Sequence, residues 1–519
     1  MPSTFSGLEI GKRGIFAQQS ALYTTGHNIA NANTEGFTRQ RVNLQASSPI
    51  PYPSLTNDKS PGQLGTGVTV QSLERLREDF LDLQFRGENK NLGEWEAKTD
   101  TLEKIEVIMN EPSDTGLQNT LDKFWQSWQD LTLHPENLST REVVRQRGIA
   151  VADTFDFMSR SLTQLSKDVD TIVGVKTSEM NSMAKQIADL NKQIGEIVPH
   201  GYTPNDLYDQ RDLLIDKLSK MADVTVSPSA EGKGMVDVFV NSVTVDANGT
   251  ATKTAIPLVA ATVGADVVSA AQNGKPQITI GGTPVAFDSG EMAGLVASRD
   301  VIIPSYLNRM NTLSTHIAEK INEVHRSGID LDMVQQYRDT LKNGGDVNAL
   351  PKKGDIPFFV SKKNPANPPE DASDMQVNPA IIDSLSKIAA GKEYNWKGKD
   401  GNAPSFEGDG SNASEIGKLK FTKIQFLGTS EASNFDDFTR YTISKLGIET
   451  QEAQRLKGNA EVLTGQVENR RQSVSGVSLD EEMSNMIKFQ HAYSASARMI
   501  TATDEMLDKV INGMGLVGR

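Results

Sequence analysis

Residues 151–197 read VADTFDFMSRSLTQLSKDVDTIVGVKTSEMNSMAKQIADLNKQIGEI. Val151, Phe155, Met158, Leu162, Leu165, Val169 and Ile172 follow one another at gaps of 4, 3, 4, 3, 4 and 3. That spacing keeps the apolar side chains on one stripe of an α-helix, which needs a partner helix to bury it. The stripe continues through Lys176 to Met180, Met183, Ile187, Leu190, Ile194 and Ile197. Two successive gaps of four around Lys176 form a stutter, which locally unwinds a left-handed supercoil. No proline occurs from Glu136 to Val198 or from Ser405 to Arg519. An interior proline costs a helix about 3 kcal/mol, so both stretches permit very long helices. The first should stop at Pro199, with Gly201 beyond it.

Working outward, a second seam joins Leu446, Ala453, Leu456, Ala460, Leu463 and Val467. A third follows Ser475-Gly476 through Leu479, Met483, Met486, Gln490, Tyr493, Ala497, Ile500, Asp504, Leu507 and Ile511. Ser478 is placed to N-cap it, with Asp480, Glu481 and Glu482 in the first turn, where the helix dipole favours anions. At the N-terminus Leu8, Ile15, Leu22 and Ile29 stand seven apart. Gly7, Gly11, Gly14 and Gly26 weaken this helix by about 1 kcal/mol each, so it needs a partner. The two terminal helices share heptad spacing and can form one pair, parallel or antiparallel.

The middle of the chain differs. Val236–Val245 (VDVFVNSVTV) is β-branched and partly alternating, and Gln277–Phe287 (QITIGGTPVAF) reads as two strands about a Gly-Gly turn. Pro304–His325 is helical again, with Tyr306, Met310, Leu313, Ile317 and Ile321 on one face. From Asp330 to Lys418 the chain is rich in Gly, Pro, Asn and Lys, with one short helical piece around Ile381–Ala390. The expected fold class is mainly α with β insertions. Long coiled-coil or antiparallel helices from both termini form core domains, and a small β-rich domain is inserted mid-chain. The expected partition is 1–48 with 475–519 as a terminal coiled-coil core, and 60–225 with 290–328 and 415–474 as a helical bundle. Residues 226–289 form the β-rich domain and 330–414 a loop-rich insertion, most of which (340–405) should be dispensable.

Composition narrows the function classes. With 53 Lys+Arg against 67 Asp+Glu the net charge is −14, which disfavours a nucleic-acid binder. Zero cysteine among 519 residues excludes disulfides, thiolate-held metals and thiol nucleophiles. The most apolar stretch, Leu258–Ala271, is too short to span a membrane and carries Asp266. Residues 1–30 lack the apolar core of a cleavable signal peptide, so the chain should be cytosolic or leave by a route that removes nothing.

No catalytic constellation is advertised. The six histidines (His27, His134, His200, His316, His325, His491) are scattered, and HExxH, GxSxG and GxxxxGK[ST] are all absent. Lys399–Asn402 and Glu407–Asn412 offer oxygen atoms without the twelve-residue calcium-loop spacing, and read as turns. The expectation is no enzyme, no metal and no cofactor.

One segment is more specific than composition. Asn28-Ile-Ala-Asn-Ala-Asn-Thr-Glu-Gly-Phe-Thr-Arg39 follows the N-terminal helix. Locally it is a helix end, with Phe37 as a buried anchor and Arg39 and Arg41 as a polar rim. Through Asn28, Ala30, Asn31, Thr34, Gly36 and Phe37 it closely resembles the signature of the bacterial flagellar axial proteins, the rod, hook and hook-junction family. The segment Ser475–Met483 narrows the resemblance to the hook-associated branch. So do Phe489-Gln490-His491-Ala492-Tyr493, Ala495, Ala497-Arg498 and Asp504–Leu507. Glu78–Leu81, Pro135–Asn137 with Arg141, Asp209–Leu214, Gly290–Gly294 and Gly408–Ala413 agree. The likeness covers most of 1–330 and 410–519 and is poor over 230–285 and 330–410.

The resemblance implies structural work at the hook–filament junction. Such proteins are exported unfolded by the flagellar type III apparatus without a cleaved signal, and polymerise at the hook tip. Their terminal helices pair in the tube core and are disordered in the monomer. The implied partners are copies of the chain, hook protein, the second hook–filament junction protein, the export apparatus and a small export chaperone. The implied assembly residues are Leu8, Ile15, Leu22, Ile29, Leu479, Met483, Met486, Tyr493, Ile500, Leu507 and Ile511. The chaperone would cover Met483, Met486, Tyr493, Ile500 and Leu507, because an exposed apolar stripe invites aggregation. The alternatives are a hook or rod protein, an exported enzyme carrying an axial-protein address, and a coiled-coil adhesin.

Overall fold

The 151–197 stripe lies within one helix of 60 residues, Leu138–Ile197, in a computed structural model of the chain. The structure describes residues 5–50, 62–110, 113, 116–245, 251–272, 275–346, 349–392, 408–426 and 432–513. The helix passes into a short 3-10 turn at Val198–His200, closed by Gly201 in the left-handed conformation, where Pro199 predicts its end. The buried line runs Val169, Val173, Thr177, Met180. The stutter is real, but its two gaps of four centre on Val173 rather than Lys176: Ile172 and Lys176 are only half-buried. A charged Lys176 avoids the core by turning to Glu179 and Glu291, both at 3.2 Å.

In chain order the elements begin α1 (Ser6–Ala30), β1 (Gln40–Ala46), β2 (Val68–Arg75), α2 (Asp79–Met109), α3 (Leu117–Leu133), α4 (Leu138–Ile197) and α5 (Asn205–Met221). Next come β3 (Val224–Pro228), β4 (Val236–Val245), β5 (Ala251–Ala260), β6 (Val263–Gly264), β7 (Val267–Gln272), β8 (Lys275–Ile280) and β9 (Thr283–Pro284). Then follow α6 (Glu291–Ala297), α7 (Ile303–Ser327), α8 (Leu331–Lys342), β10 (Phe359–Ser361), β11 (Met375–Val377), α9 (Pro379–Asp383), α10 (Ser411–Lys418), α11 (Phe435–Ser475) and α12 (Leu479–Asp508). The protein is mainly helical, with long helices at both ends and a small β-containing region mid-chain.

The chain divides into two compact units: Met1–Glu94, Val175–Ala293 and Asn459–Arg519 form one, and Trp95–Gly174 with Gly294–Gly458 the other. In the first, β1 and β2 make an antiparallel hairpin with an irregularity between Asn43 and Leu44. Strands β3-β4-β5-β6 and β7-β8-β9 form two antiparallel sheets. The sheets are pinned to α4 by asparagines that imitate strand partners. Asn181 exchanges two hydrogen bonds with the Val267 backbone, and Asn191 donates to Val236 O and Ala261 O. Val238, Val240, Ile256, Leu258, Ile278 and Ile280 supply the buried faces, as the alternation in 236–245 and 277–287 requires.

The second unit is organised by aromatic side chains. Phe124 and Trp128 of α3 pack on Phe358, with centroids 6.0 and 5.3 Å away, and Phe358 meets Phe359 at 4.9 Å. Tyr306, Met310, Leu313, Ile317 and Ile321 of α7 are all buried, as their spacing predicts. The stretch expected to be loop-rich carries α8, β10, β11 and α9, and it does not behave as a removable insertion. Phe358, Phe359, Val360, Met375, Ile381 and Ile388 are fully buried, and deleting them would empty the core. The expectation that most of 340–405 is dispensable is therefore withdrawn. Lys399–Asn402 and Glu407 lie outside the described residues. Nearby, Asp409 accepts from the Ser411 and Lys392 backbone N–H groups, as a turn residue does.

Candidate functional site

α1 runs antiparallel along α12. Gly7 lies beside Thr503, Gly11 beside Ile500, Gly14 beside Ser496, and Asn28 beside Glu482. Three of the four glycines read from the sequence as weak points, Gly7, Gly11 and Gly14, are what allows the approach, while Gly26 has nothing within 4 Å. A Cβ on Gly11 would stand 2.6 Å from Cγ1 of Ile500, and one on Gly14 2.7 Å from Oγ of Ser496. The buried side of α1 is Gly11, Ala17, Ala21, Thr25 and Asn28. This is a seam of small residues.

The expected heptad is therefore offset from the contact line. Leu8, Ile15, Leu22 and Ile29 are half-buried at the flanks of the seam. On α12, Met486, Ile500 and Leu507 are half-buried, while Leu479, Met483, Tyr493 and Ile511 are exposed. The buried positions of α12 are Glu482 and Thr503. Phe5, just before α1, and Phe16 and Tyr23 on it are exposed as well, so the pair carries a broad apolar exterior.

The Asn-rich segment fastens this pair to its own unit. Asn28 is buried and pairs with Gln40 as a strand would, donating to Gln40 O at 2.9 Å and accepting from Gln40 N at 3.0 Å. Its amide also donates to Glu482 Oε2 at 3.2 Å. Arg39 donates through Nε to Glu482 Oε1 at 2.7 Å and through Nη1 to Glu481 at 2.6 Å. Its backbone N–H donates to Ser475 O at 2.9 Å, where α11 ends. Burial lowers the Arg39 pKa, but the two glutamates outweigh it and leave the guanidinium raised.

The other motif residues have smaller parts. The Asn31 amide caps α1 by donating to His27 O, and Thr34 donates to Asn31 Oδ1 at 3.1 Å. Gly36, at φ +79°, leaves no room for a side chain beside Leu213. Ala30 and Thr34 are exposed. Phe37 is half-buried, edge-on to His27 at 5.4 Å, and is not the buried anchor expected; Thr38 and Gln40 hold those buried positions. Ser478 occupies the N-cap position of α12 but makes no side-chain capping bond.

Beneath the motif lies an ionic lattice that sequence reading missed. Arg75 donates to Asp209 and Asp212, both at 2.9 Å, and Arg77 pairs with Asp82 and with Asp212 at 3.2 Å. Arg86 and Arg471 both reach Asp216, at 2.7 and 2.6 Å, and Arg471 also reaches Asp82 at 3.0 Å. Burial pushes the Asp209 carboxyl up, even with Arg75 and the Thr38 N–H beside it. Burial works the same way on Asp212, but Arg77, Arg75 and Arg211 together hold it below its ordinary value. A usable signal existed: Asp209, Asp212 and Asp216 recur at gaps of 3 and 4 on one helix face. A cleft of about 640 Å³ opens beside the motif, lined by residues 32–39, Arg77, Arg471 and 472–478.

Among the described residues no cluster of His, Asp and Glu could hold a metal ion, and no helix is long and apolar enough to cross a membrane. The geometry is that of a joint between helices.

Comparison with known proteins places that joint. A profile of the flagella basal body rod protein matches residues 8–38, and one of the flagellar basal body rod FlgEFG protein C-terminal matches 469–513. The profile of the flagellar hook-associated protein FlgK helical domain matches 102–337. Flagellar hook-associated protein 1 of Bacillus subtilis (strain 168) is 38% identical over 547 residues, covering 100% of each chain. The chain belongs to the flagellar hook-associated protein 1 family. The protein of that name from Salmonella typhimurium (strain LT2) is 24% identical over 555 residues, covering 96% of this chain and 98% of its own. The flagellar hook junction protein FlgK from Burkholderia pseudomallei shares the fold: TM-score 0.56, 14% identity, 75% of this chain and 100% of that one. Members of the hook-associated protein 1 family are structural, and this chain is a structural component of the flagellar hook–filament junction rather than a hook or rod protein.

Proposed function

We propose that the chain works as a non-enzymatic axial subunit whose ends, 1–48 with 475–519, form its assembling core. The observation that supports this most is the α1–α12 seam. It joins the two segments that resemble rod proteins, and it buries glycine, alanine and threonine rather than large apolar side chains. Such a pair gains little from the hydrophobic effect, so it is weak alone and is completed by neighbouring copies. In this reading both ends are loose before assembly, and ordering them and joining the tube are one event.

Leu8, Ile15, Leu22 and Ile29, with Leu479, Met483, Met486, Tyr493, Ile500, Leu507 and Ile511, make the contacts to neighbouring subunits. Those contacts are head-to-tail and non-closing, as a tube requires. Hook protein lies on one side and the second junction protein on the other. Export is through the type III apparatus, without a cleaved signal. A small helical chaperone shields Met483, Met486, Tyr493, Ile500 and Leu507 until then; their exposed or half-buried state in the lone chain supports this.

The experiment removes either end. Chains lacking 1–40 or 478–519 should stay soluble with a folded middle, yet fail to restore motility to cells lacking the protein. In such cells hooks should form while flagellin leaks into the medium. Normal filaments on a chain missing either end would sink the reading.

A further inference from the structure

With no cysteine in the chain, its 16 methionines are the only redox-active sulfur atoms. They are sharply sorted. Met180, Met292 and Met375 have no exposed surface, and the other described methionines outside α12 are buried or, at Met333, half-buried. Met333 packs against Ile329, Val334 and Tyr337. On α12 the pattern reverses: Met483, Met499 and Met506 are 57%, 41% and 62% exposed. Every freely exposed thioether among the described residues therefore lies on the C-terminal helix, amid exposed Ile487 and Tyr493.

We infer that α12 is a selective oxidation site of the unassembled chain, modified by peroxides at Met483, Met499 and Met506. The sulfur lone pair attacks one peroxide oxygen and the O–O bond breaks. Sulfur loses two electrons to become a sulfoxide, and hydrogen peroxide is reduced to water. A thiol-dependent sulfoxide reductase reverses the step. Rate follows access, because the oxidant must reach sulfur, so the buried methionines are spared. The product replaces a flexible apolar side chain with a polar one that needs a hydrogen-bond partner wherever it becomes buried. Oxidised subunits are thus poor at joining a neighbour through α12. This last consequence rests on α12 being an assembling surface; the oxidation itself does not.

The test has two independent arms. The purified full-length chain is exposed to hydrogen peroxide at a dose that leaves its helicity unchanged, and sulfoxides are located by peptide mass spectrometry. Met483, Met499 and Met506 should oxidise about tenfold faster than Met180, Met292 and Met375. Equal rates would overturn the site. In cells, one variant carries Met499→Leu and Met506→Leu, and a second carries Gln at the same two positions to imitate the sulfoxide. The leucine variant should swim and the glutamine variant should not. Two motile variants would remove the exterior of α12 from assembly while leaving the oxidation result intact, and two immotile variants would show that polarity is not what matters there.

Discussion

Gly11 and Ile500 touch so closely that a single added methyl group on Gly11 would lie 2.6 Å from Cγ1 of Ile500. The Ile500 side chain would have to shift for a methyl, and the helices to part for anything larger. Gly11→Leu should cost the seam about 1–3 kcal/mol, the usual range for overpacking. Hydrogen exchange should show α1 and α12 losing protection while α3 and α7 keep theirs, and motility should fall. Unchanged protection would mean that the seam does not set the pairing.

Glu482 joins Asn28 and Arg39 from a buried position. Glu482→Gln keeps the shape but weakens the ionic bond, leaving Arg39 with Glu481 alone. Urea denaturation of the full chain should show a loss on the order of 2 kcal/mol in the transition that includes α12. In a double-mutant cycle, Arg39→Gln should add little to Glu482→Gln. Full additivity would show that the two side chains act separately.

His325 is a built-in acid sensor of its unit. Its ring is fully buried, with Nδ1 2.7 Å from Ile356 O and Nε2 accepting the Ala389 N–H at 3.0 Å. Only the neutral ring satisfies both. Burial first, then nearby Arg141, pushes its pKa from the ordinary 6.5 down to about 4. Above 6.5 neither folded nor unfolded chain is protonated there, and the contribution is complete. As pH falls towards 4 the unfolded chain alone takes up the proton, so stability drops by on the order of 3 kcal/mol. Trp128, whose indole ring lies 6.2 Å from His325, should report the change by fluorescence during urea titrations between pH 7 and 4.5. A flat profile would remove His325 from the acid response.

Arg141 donates to the carbonyls of Pro135, Leu385 and Ile388 from a fully buried site, and burial pushes its pKa down to about 10. Arg141→Met would leave those acceptors without a donor, at about 1–3 kcal/mol for each that water fails to reach. Arg141→Lys should rescue only in part, since an ammonium cannot imitate the fork. Limited proteolysis should find new cleavage near 385–388 in the methionine variant. Resistance equal to that of the parent would count against this anchor.

Deleting 356–390 should abolish cooperative unfolding of the unit containing α3 and α7, because Phe358 and Phe359 fill its centre. Near-ultraviolet circular dichroism would register the loss of the packed aromatic residues. A retained signal would restore the view that the segment is an appendage.

Much of the helical fold was readable because periodicity reports a local property. The 151–197 stripe, the α7 face and the break at Ser475-Gly476 all follow from spacing. What spacing misjudged was the terminal seam. Apolar heptads point to Leu8 and Ile15, whereas this helix, joined through glycine, buries Gly11, Ala17, Ala21, Thr25 and Asn28. The β1–β2 hairpin was missed, although Val42, Leu44 and Ala46 alternate, because a seven-residue strand beside a turn-rich motif carries a faint signal. Glu482 looked like an ordinary helix-start carboxylate. Its role depends on Asn28, 454 residues away, which no local window contains.

Arg39 holds the end of α11 with its backbone and the start of α12 with its side chain. A pull along α12 is therefore shared between Arg39 and the α1 seam, where Asn28 also holds Glu482. In a rotating shaft Arg39 then gives twist a second path across the bend at Ser475–Ser478, beside the backbone itself.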